Sequence, residues 1–176
     1  VKYVAELTPK KSELLSSDNR LCTFVPMEKL KLGNIIKDEE KPISEVIAGY
    51  TYFKDGDLLL AKVTPCFENK NMCIANGLKN GVGFGSSEIY VLRANIKVNP
   101  QFLYYRLQEE QFMELGSGAM TGAGGLKRVP SEFLNNFEFL LPPLEEQFTI
   151  VEYLNEYLLK NESLMGKAYS AIQLMQ

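Results

Sequence analysis

The sequence predicts an α+β protein, a compact body around a twisted, mainly antiparallel sheet, followed by one long C-terminal helix with a coiled-coil seam. Three observations carry this reading. Strand-like and helical segments are mixed without the regular strand-helix alternation of a doubly wound sheet. A chain of 176 residues, 45% of them hydrophobic, can bury one good core, and two full domains would be cramped. A proline pair, Pro142-Pro143, separates the mixed body from an uninterrupted helical pattern, which divides the chain into residues 1–143 and 144–176.

Taken in order, Lys2 to Leu7 alternates like a strand and passes into a polar stretch, Ser16-Ser17-Asp18-Asn19-Arg20, that reads as a loop. Leu21 to Val25 predicts a strand stopped by Pro26. The segment Gly33 to Glu45 is polar, with Lys37-Asp38-Glu39-Glu40-Lys41-Pro42 inside it, and predicts an exposed excursion whose charges are only solvated. Tyr50-Thr51-Tyr52-Phe53 leads into the turn Lys54-Asp55-Gly56-Asp57. Leu58 to Val63 is then an apolar run bounded by turn residues, the pattern of a buried strand, and Pro65 ends it. Asn and Gly crowd Glu68 to Gly85 and favour turns and short hairpins over helix. A strand follows at Glu88 to Arg93.

Asn99-Pro100 is a helix start, cap then proline. The predicted helix runs from Gln101 to Leu115, turns Leu103, Leu107, Phe112 and Leu115 inward, and stops at Gly116. Gly116 to Gly125 is nearly all small residues and reads as a flexible loop. It runs into Lys127-Arg128-Val129-Pro130, after which Ser131 caps a short helical turn through Leu134 and Phe137 to Leu141 forms a last strand.

The proline pair then opens the terminal helix, with Glu145 and Glu146 set against the positive end of its dipole. Val151, Leu154, Leu158, Asn161, Met165, Ala168, Ile172 and Met175 recur at steps of three and four, one apolar seam in heptad register; Ile150, Tyr157, Leu164 and Ala171 widen it. A helix this long exceeds what a small domain needs for its own core, so part of the seam predicts a second helix. The residues expected to pair are Val151, Leu154, Leu158, Asn161, Met165 and Ile172, with Asn161 fixing register and partner number. A helix folded back on its own body is the alternative.

Composition excludes several function classes. No apolar run is long enough to cross a bilayer and no secretory leader is visible, so the expectation is a soluble, cytoplasmic chain without membrane contact. The first residue is Val1, which leaves open a processed chain or a piece of a longer one. Cys22, Cys66 and Cys73 match no zinc spacing, and the chain has no histidine, so neither a common zinc site nor a histidine-based nucleophile mechanism is available. The thiols read as free and buried. Two short motifs also fail: Asn99-Pro100-Gln101-Phe102 resembles the adenine amino-methyltransferase tetrapeptide but lacks its second proline, and Gly81-Val82-Gly83-Phe84-Gly85 lacks the third glycine and the helix of a dinucleotide loop.

What remains is a surface of donors and acceptors. Lys62, Thr64, Asn69, Lys70 and Asn71 on one loop, Ser86 and Ser87 beside it, and Thr121, Lys127 and Arg128 on another could together meet a polyanion and read base edges. Lysine and arginine neutralise phosphate, asparagine pairs with adenine, and serine and threonine contact either kind of base. The net charge of −3 confines any such site to a local face.

Five blocks in fixed order give the chain a resemblance over nearly its whole length. These are Phe24-Val25-Pro26-Met27-Glu28, Tyr50 to Asp57, Ala61 to Asn69, Gly83-Phe84-Gly85-Ser86-Ser87-Glu88, and Leu141-Pro142-Pro143-Leu144-Glu145-Glu146-Gln147. The set resembles a target recognition domain and its following conserved helix from the specificity (S) subunit of a Type I restriction-modification system. That resemblance implies a DNA-reading component without catalytic residues. It also implies double-stranded DNA, methyltransferase (M) subunits and restriction (R) subunits as partners. S-adenosylmethionine would be held by the M subunit and no cofactor by this chain. A full S subunit has two recognition domains and two helices, so this chain corresponds either to a fragment or to a half-subunit that forms a homodimer to read a symmetric split site. A non-enzymatic protein-interaction module, dimerising through the terminal helix, is the competing reading.

Overall fold

A computed structural model describes residues 1–174 except Glu13 and Ser16, and leaves the side chains of Ala168, Tyr169, Ala171 and Leu174 undescribed. Ser16 of the polar loop, and Ala168, Ala171 and Met175 of the seam, therefore lie outside what the structure describes. The chain divides into two compact units, Val1–Leu140 and Leu141–Gln176.

Among the described residues the first unit carries twelve strands and four α-helices: β1 Ala5–Leu7, β2 Leu21–Val25, β3 Leu30–Lys31, β4 Asn34–Ile35, β5 Glu40–Pro42, α1 Ile43–Val46, β6 Thr51–Lys54, β7 Leu58–Ala61, β8 Met72–Ile74, β9 Val82–Gly85, β10 Ile89–Ala94, α2 Pro100–Gln108, α3 Glu110–Ala119, β11 Thr121–Ala123, β12 Leu126–Arg128 and α4 Ser131–Asn136. Two four-stranded sheets organise it, one in the order β1-β10-β7-β8 and the other β5-β2-β9-β6. All pairings are antiparallel except β2 with β9, which run parallel with Phe24 opposite Phe84. Hence the fold is α+β and mainly antiparallel, with two sheets where one was expected.

Strand alternation places the core. Val25 and Phe53 join Leu59, Ala61, Ile89 and Val91 from the first sheet in one buried cluster. Their neighbours Phe24 and Tyr52 point to the opposite face, where they pack with Cys22, Ile43, Val46 and Phe84. A side-chain period of two turns alternate residues to opposite faces. The apolar run Leu58 to Ala61 is buried throughout, as befits a strand covered on both faces. Gly83 lies within β9 because a Cβ there would stand 2.2 Å from the Phe53 ring. The glycine-rich stretch is thus a strand with a neighbouring ring seated on it.

Several expectations are corrected. The polar excursion contains β4, β5 and α1, and Asp38, Glu39, Glu40 and Lys41 are paired: Lys29 meets Asp38 at 2.7 Å and Glu39 at 2.8 Å, Lys41 meets Glu39, and Lys79 meets Glu40. The single helix after Asn99 is two helices, because Glu109 is extended (φ −62°, ψ 146°) and resets the helical phase. Phe112, Met113 and Gly116 consequently face inward while Leu115 is 52% exposed. Gly116 does not stop α3; it lies inside it and admits the Phe67 ring, which a Cβ would meet at 2.5 Å. Ser131 is the first residue of α4 and not its cap. Phe137 to Leu141 is not a strand; Phe137 and Phe139 instead extend a cluster of rings with Phe102, Phe112 and Phe133.

The second unit is one helix, α5 Leu144–Leu174, of 31 residues. At 1.5 Å per residue it is about 46 Å long. The Gln147 backbone N–H donates to the Pro143 carbonyl at 3.0 Å and its side-chain amide to the Pro142 carbonyl at 2.8 Å, which ties the proline pair into the first turn. Of the predicted seam, Leu158, Met165 and Ile172 are exposed. Among the described residues no helix is long and apolar enough to cross a membrane.

Candidate nucleic-acid interface

The predicted site residues separate into three groups. Beyond β7 the chain continues extended, and Lys62 to Thr64 pairs with β12. The Val129 N–H donates to the Lys62 carbonyl at 2.8 Å, the Thr64 N–H to the Lys127 carbonyl at 3.0 Å, and Val63 bridges to Arg128. The hairpin β11–β12, with Thr121 opposite Arg128 and Gly122 opposite Lys127, is thereby seated on the end of the sheet. Lys62, Thr64, Thr121, Lys127 and Arg128 come together in one strip. The expected flexible loop, Gly116 to Gly125, is instead the last turn of α3 followed by the first strand and turn of this hairpin. Gly122 makes it possible: its φ of +141° is open to glycine, and a Cβ would stand 2.3 Å from the Leu126 carbonyl oxygen.

Electrostatics then distinguish the cations within the strip. Arg128 grips Glu88 with a two-point fork, Nε at 2.8 Å and an Nη at 2.7 Å. This hydrogen bonding holds the Glu88 carboxyl below its ordinary range, despite partial burial, and raises Arg128. The Lys62 ammonium lies 4.8 Å from the centroid of the Tyr90 ring, whose hydroxyl donates to the Val129 carbonyl. The Thr64 hydroxyl turns to the Lys127 carbonyl and the Met120 sulfur. Lys127 and Thr121 are exposed, and among the described residues no carboxylate pairs with Lys127. Among the described residues the strip therefore offers one uncommitted cation, Lys127, with Arg128 committed to Glu88 and Lys62 set over the Tyr90 ring.

Asn69, Lys70 and Asn71 form the second group, in a turn whose backbone is hydrogen-bonded and whose Lys70 side chain is committed. Lys70 adopts φ +55° and its ammonium donates to the Gln108 carbonyl at 2.9 Å, closing the C-terminal end of α2. Asn71 exchanges its backbone groups with Cys66 and Ala61, and the Asn69 N–H donates to Pro65. Ser86 and Ser87, the third group, sit in the turn between β9 and β10, where the Ser86 hydroxyl accepts from the Glu88 N–H. Sequence reading missed Glu88 as the partner of Arg128; the two are 40 positions apart.

The remaining sequence candidates are structural. Asn99 Oδ1 accepts from the N–H groups of Gln101 and Phe102 at 2.8 and 3.3 Å, a plain helix cap. Burial pushes the Cys22 thiol up to about 11 and the Cys73 thiol up to about 12, so both stay protonated near neutral pH. Among the described residues no cluster of His, Cys, Asp and Glu could hold a metal ion.

Comparison with known proteins supplies the family. The family model of the Type I restriction modification DNA specificity domain matches residues 48–173. The chain belongs to this family. It is 34% identical over 176 residues to the Type I restriction enzyme EcoEI specificity subunit of Escherichia coli, covering 98% of this chain and 29% of that protein. It is 38% identical over 151 residues to the EcoAI specificity subunit of the same organism, covering 84% of this chain and 25% of the relative. This specificity domain thus spans less than a third of the curated relatives' length. Among solved structures, the HsdS subunit from Thermoanaerobacter tengcongensis superposes with a TM-score of 0.72 at 20% identity, over 99% of this chain and 45% of that one. A chain from a study of complex assembly and conformational transition in the type I R-M system gives 0.63 at 22%, over 92% and 38%. These two likenesses, both under 25% identical, carry the fold alone.

Proposed function

We propose that this specificity domain reads DNA for a Type I restriction-modification system, as one target recognition domain and its conserved helix within, or equivalent to, half of an S subunit. It directs separate M and R subunits, acting in the cytoplasm, to one half of a split target. The observation that carries this reading beyond family membership is the hairpin β11–β12 seated on Lys62 to Thr64, which holds Lys127 opposite Gly122, exposed and, among the described residues, without a paired carboxylate. A two-stranded ribbon of small residues fits a DNA groove, and a free lysine beside it neutralises phosphate.

The chain performs no chemistry in this scheme. S-adenosylmethionine is bound by the M subunit, and methyl transfer to adenine needs that partner. The exposed Leu158, Met165 and Ile172 of α5 supply the pairing face, taken by a second helix of a longer S subunit or by a copy of this chain. Selection from a random duplex library, followed by anisotropy titration across salt, tests the reading. A recovered half-site whose affinity falls steeply with salt supports it. Sequence-blind, salt-insensitive binding would favour a protein-interaction module. Light scattering of the wild type and Leu158→Asp tests the seam: a dimer that survives this change would move the interface off α5.

A further inference from the structure

Next to the strip is a notch of about 380 Å³ lined by Phe24, Pro26, Met27, Glu28, Tyr50 and Ser87 among others. The chain passes directly from Ser87 to Glu88, the carboxylate that holds Arg128, so the notch adjoins the strip. Its chemistry is the reverse of the strip's. Among the described residues no lysine or arginine lines it and no cation pairs with Glu28, which is exposed. Tyr50 is 38% exposed, with its ring fixed edge-on to Phe24 at 4.7 Å and 89°.

An anionic ligand would find Glu28 repelling it and nothing in the lining to neutralise it. A cation finds a carboxylate, a serine hydroxyl able to accept, and an aromatic wall held in place. The Phe24 ring already carries the Lys41 ammonium, 3.8 Å from its centroid, so Tyr50 is the wall offered to a further cation. Between the two cationic side chains the notch favours arginine. A guanidinium is planar and weakly hydrated, stacks on aromatic faces, and meets a carboxylate with two parallel hydrogen bonds, whereas an ammonium is a strongly hydrated point charge. We propose that this notch receives an arginine side chain of a protein partner. The body then offers Lys127 to DNA and Glu28 with Tyr50 to protein, on neighbouring surfaces. The assignment stands apart from the DNA-reading proposal and survives its failure.

The test is an NMR titration of the isotope-labelled chain with N-acetylarginine methylamide and with its neutral citrulline counterpart. The arginine probe is expected to shift the amide signals of Tyr50 and Ser87. Citrulline against the wild type, and arginine against Glu28→Gln, should each bind about tenfold more weakly, since each removes the charge from one side of the forked pair. Tyr50→Leu should weaken arginine binding while leaving Glu28 in place. Absence of shifts, equal binding of citrulline, or undiminished binding by Glu28→Gln would each overturn the assignment. So would duplex DNA that shifts the same signals and binds Glu28→Gln more tightly, since that would give the notch to nucleic acid. Glu28→Gln is otherwise expected to keep wild-type affinity for DNA, which separates the two proposals.

Discussion

The segment from Thr64 to Asn71 and the segment from Thr121 to Arg128 look alike in sequence, each a run of small and polar residues carrying lysine. In the fold they differ. Lys70 spends its ammonium on the Gln108 carbonyl, whereas Lys127 is held through its backbone and leaves its side chain exposed. The difference lies in what each backbone does. The turn from Pro65 to Lys70 lies against the end of α2, whose last carbonyls need donors, while β12 lies at a sheet end where the ladder and the Thr64 hydroxyl satisfy the backbone without the Lys127 ammonium. Whether a cation is free for a ligand therefore depends on which backbone groups around it are unsatisfied.

The largest effect should come from removing the hairpin itself. Gly122→Val places a Cβ against the Leu126 carbonyl and a β-branched residue at φ +141°, a local strain of about 1–3 kcal/mol. With the strip dismantled, DNA affinity should fall by more than about thirtyfold, since both Lys127 and Arg128 leave their places. Unchanged anisotropy titrations would show that the hairpin does not touch DNA.

Arg128→Ala comes next. It removes one cation and leaves the Glu88 carboxylate uncompensated, so affinity should drop about ten- to thirtyfold. Arg128→Ala with Glu88→Gln should recover part of that drop, and a double variant no better than the single would show that Arg128 contacts DNA directly. The same pair sets a pH dependence. Because Arg128 lowers the Glu88 carboxyl in the folded state, the stabilisation is present above the ordinary carboxylate range and is lost as pH falls through the lowered value. Hairpin amides should gain hydrogen exchange over that acidic window and not at neutral pH.

Lys127→Ala is milder. Removing a single phosphate-neutralising charge from an exposed side chain should weaken binding about fivefold, near uniformly across sequences, and lower the salt slope by about one. Thermal stability should stay within about 0.5 kcal/mol of the wild type. A sequence-dependent effect would instead place Lys127 on a base edge.

These contrasts also mark what the sequence made legible. β2 and α5 were readable because local pattern suffices: a five-residue apolar run stopped by proline, and a proline pair followed by heptad spacing. The start of α2 was readable from its cap. What stayed hidden depends on distant partners. Gly83 is a strand residue because Phe53 covers it, and Thr121 to Arg128 is a hairpin because Val63 offers it an edge. Leu115 turns outward because Glu109 resets the helical phase, and Phe137 to Leu141 is not a strand although its apolar pattern matches one. The chemistry of the site was legible as residue types, while the split between free and committed cations was not.

The smallest effect on DNA tests the comparison most directly. Lys70→Met keeps the length of the side chain and removes the charge and the donor. If composition decided the interface, this change should cost DNA affinity as Lys127→Ala does. If backbone demand decides it, affinity should be unchanged while α2 loses the donor at its last turn, a cost of about 1 kcal/mol once solvent screening is allowed for. Denaturant melts and anisotropy titrations on the same preparation separate the two. A Lys70 variant that melts normally but binds DNA poorly would return the Thr64 to Asn71 segment to the interface and remove the distinction between the two lysines.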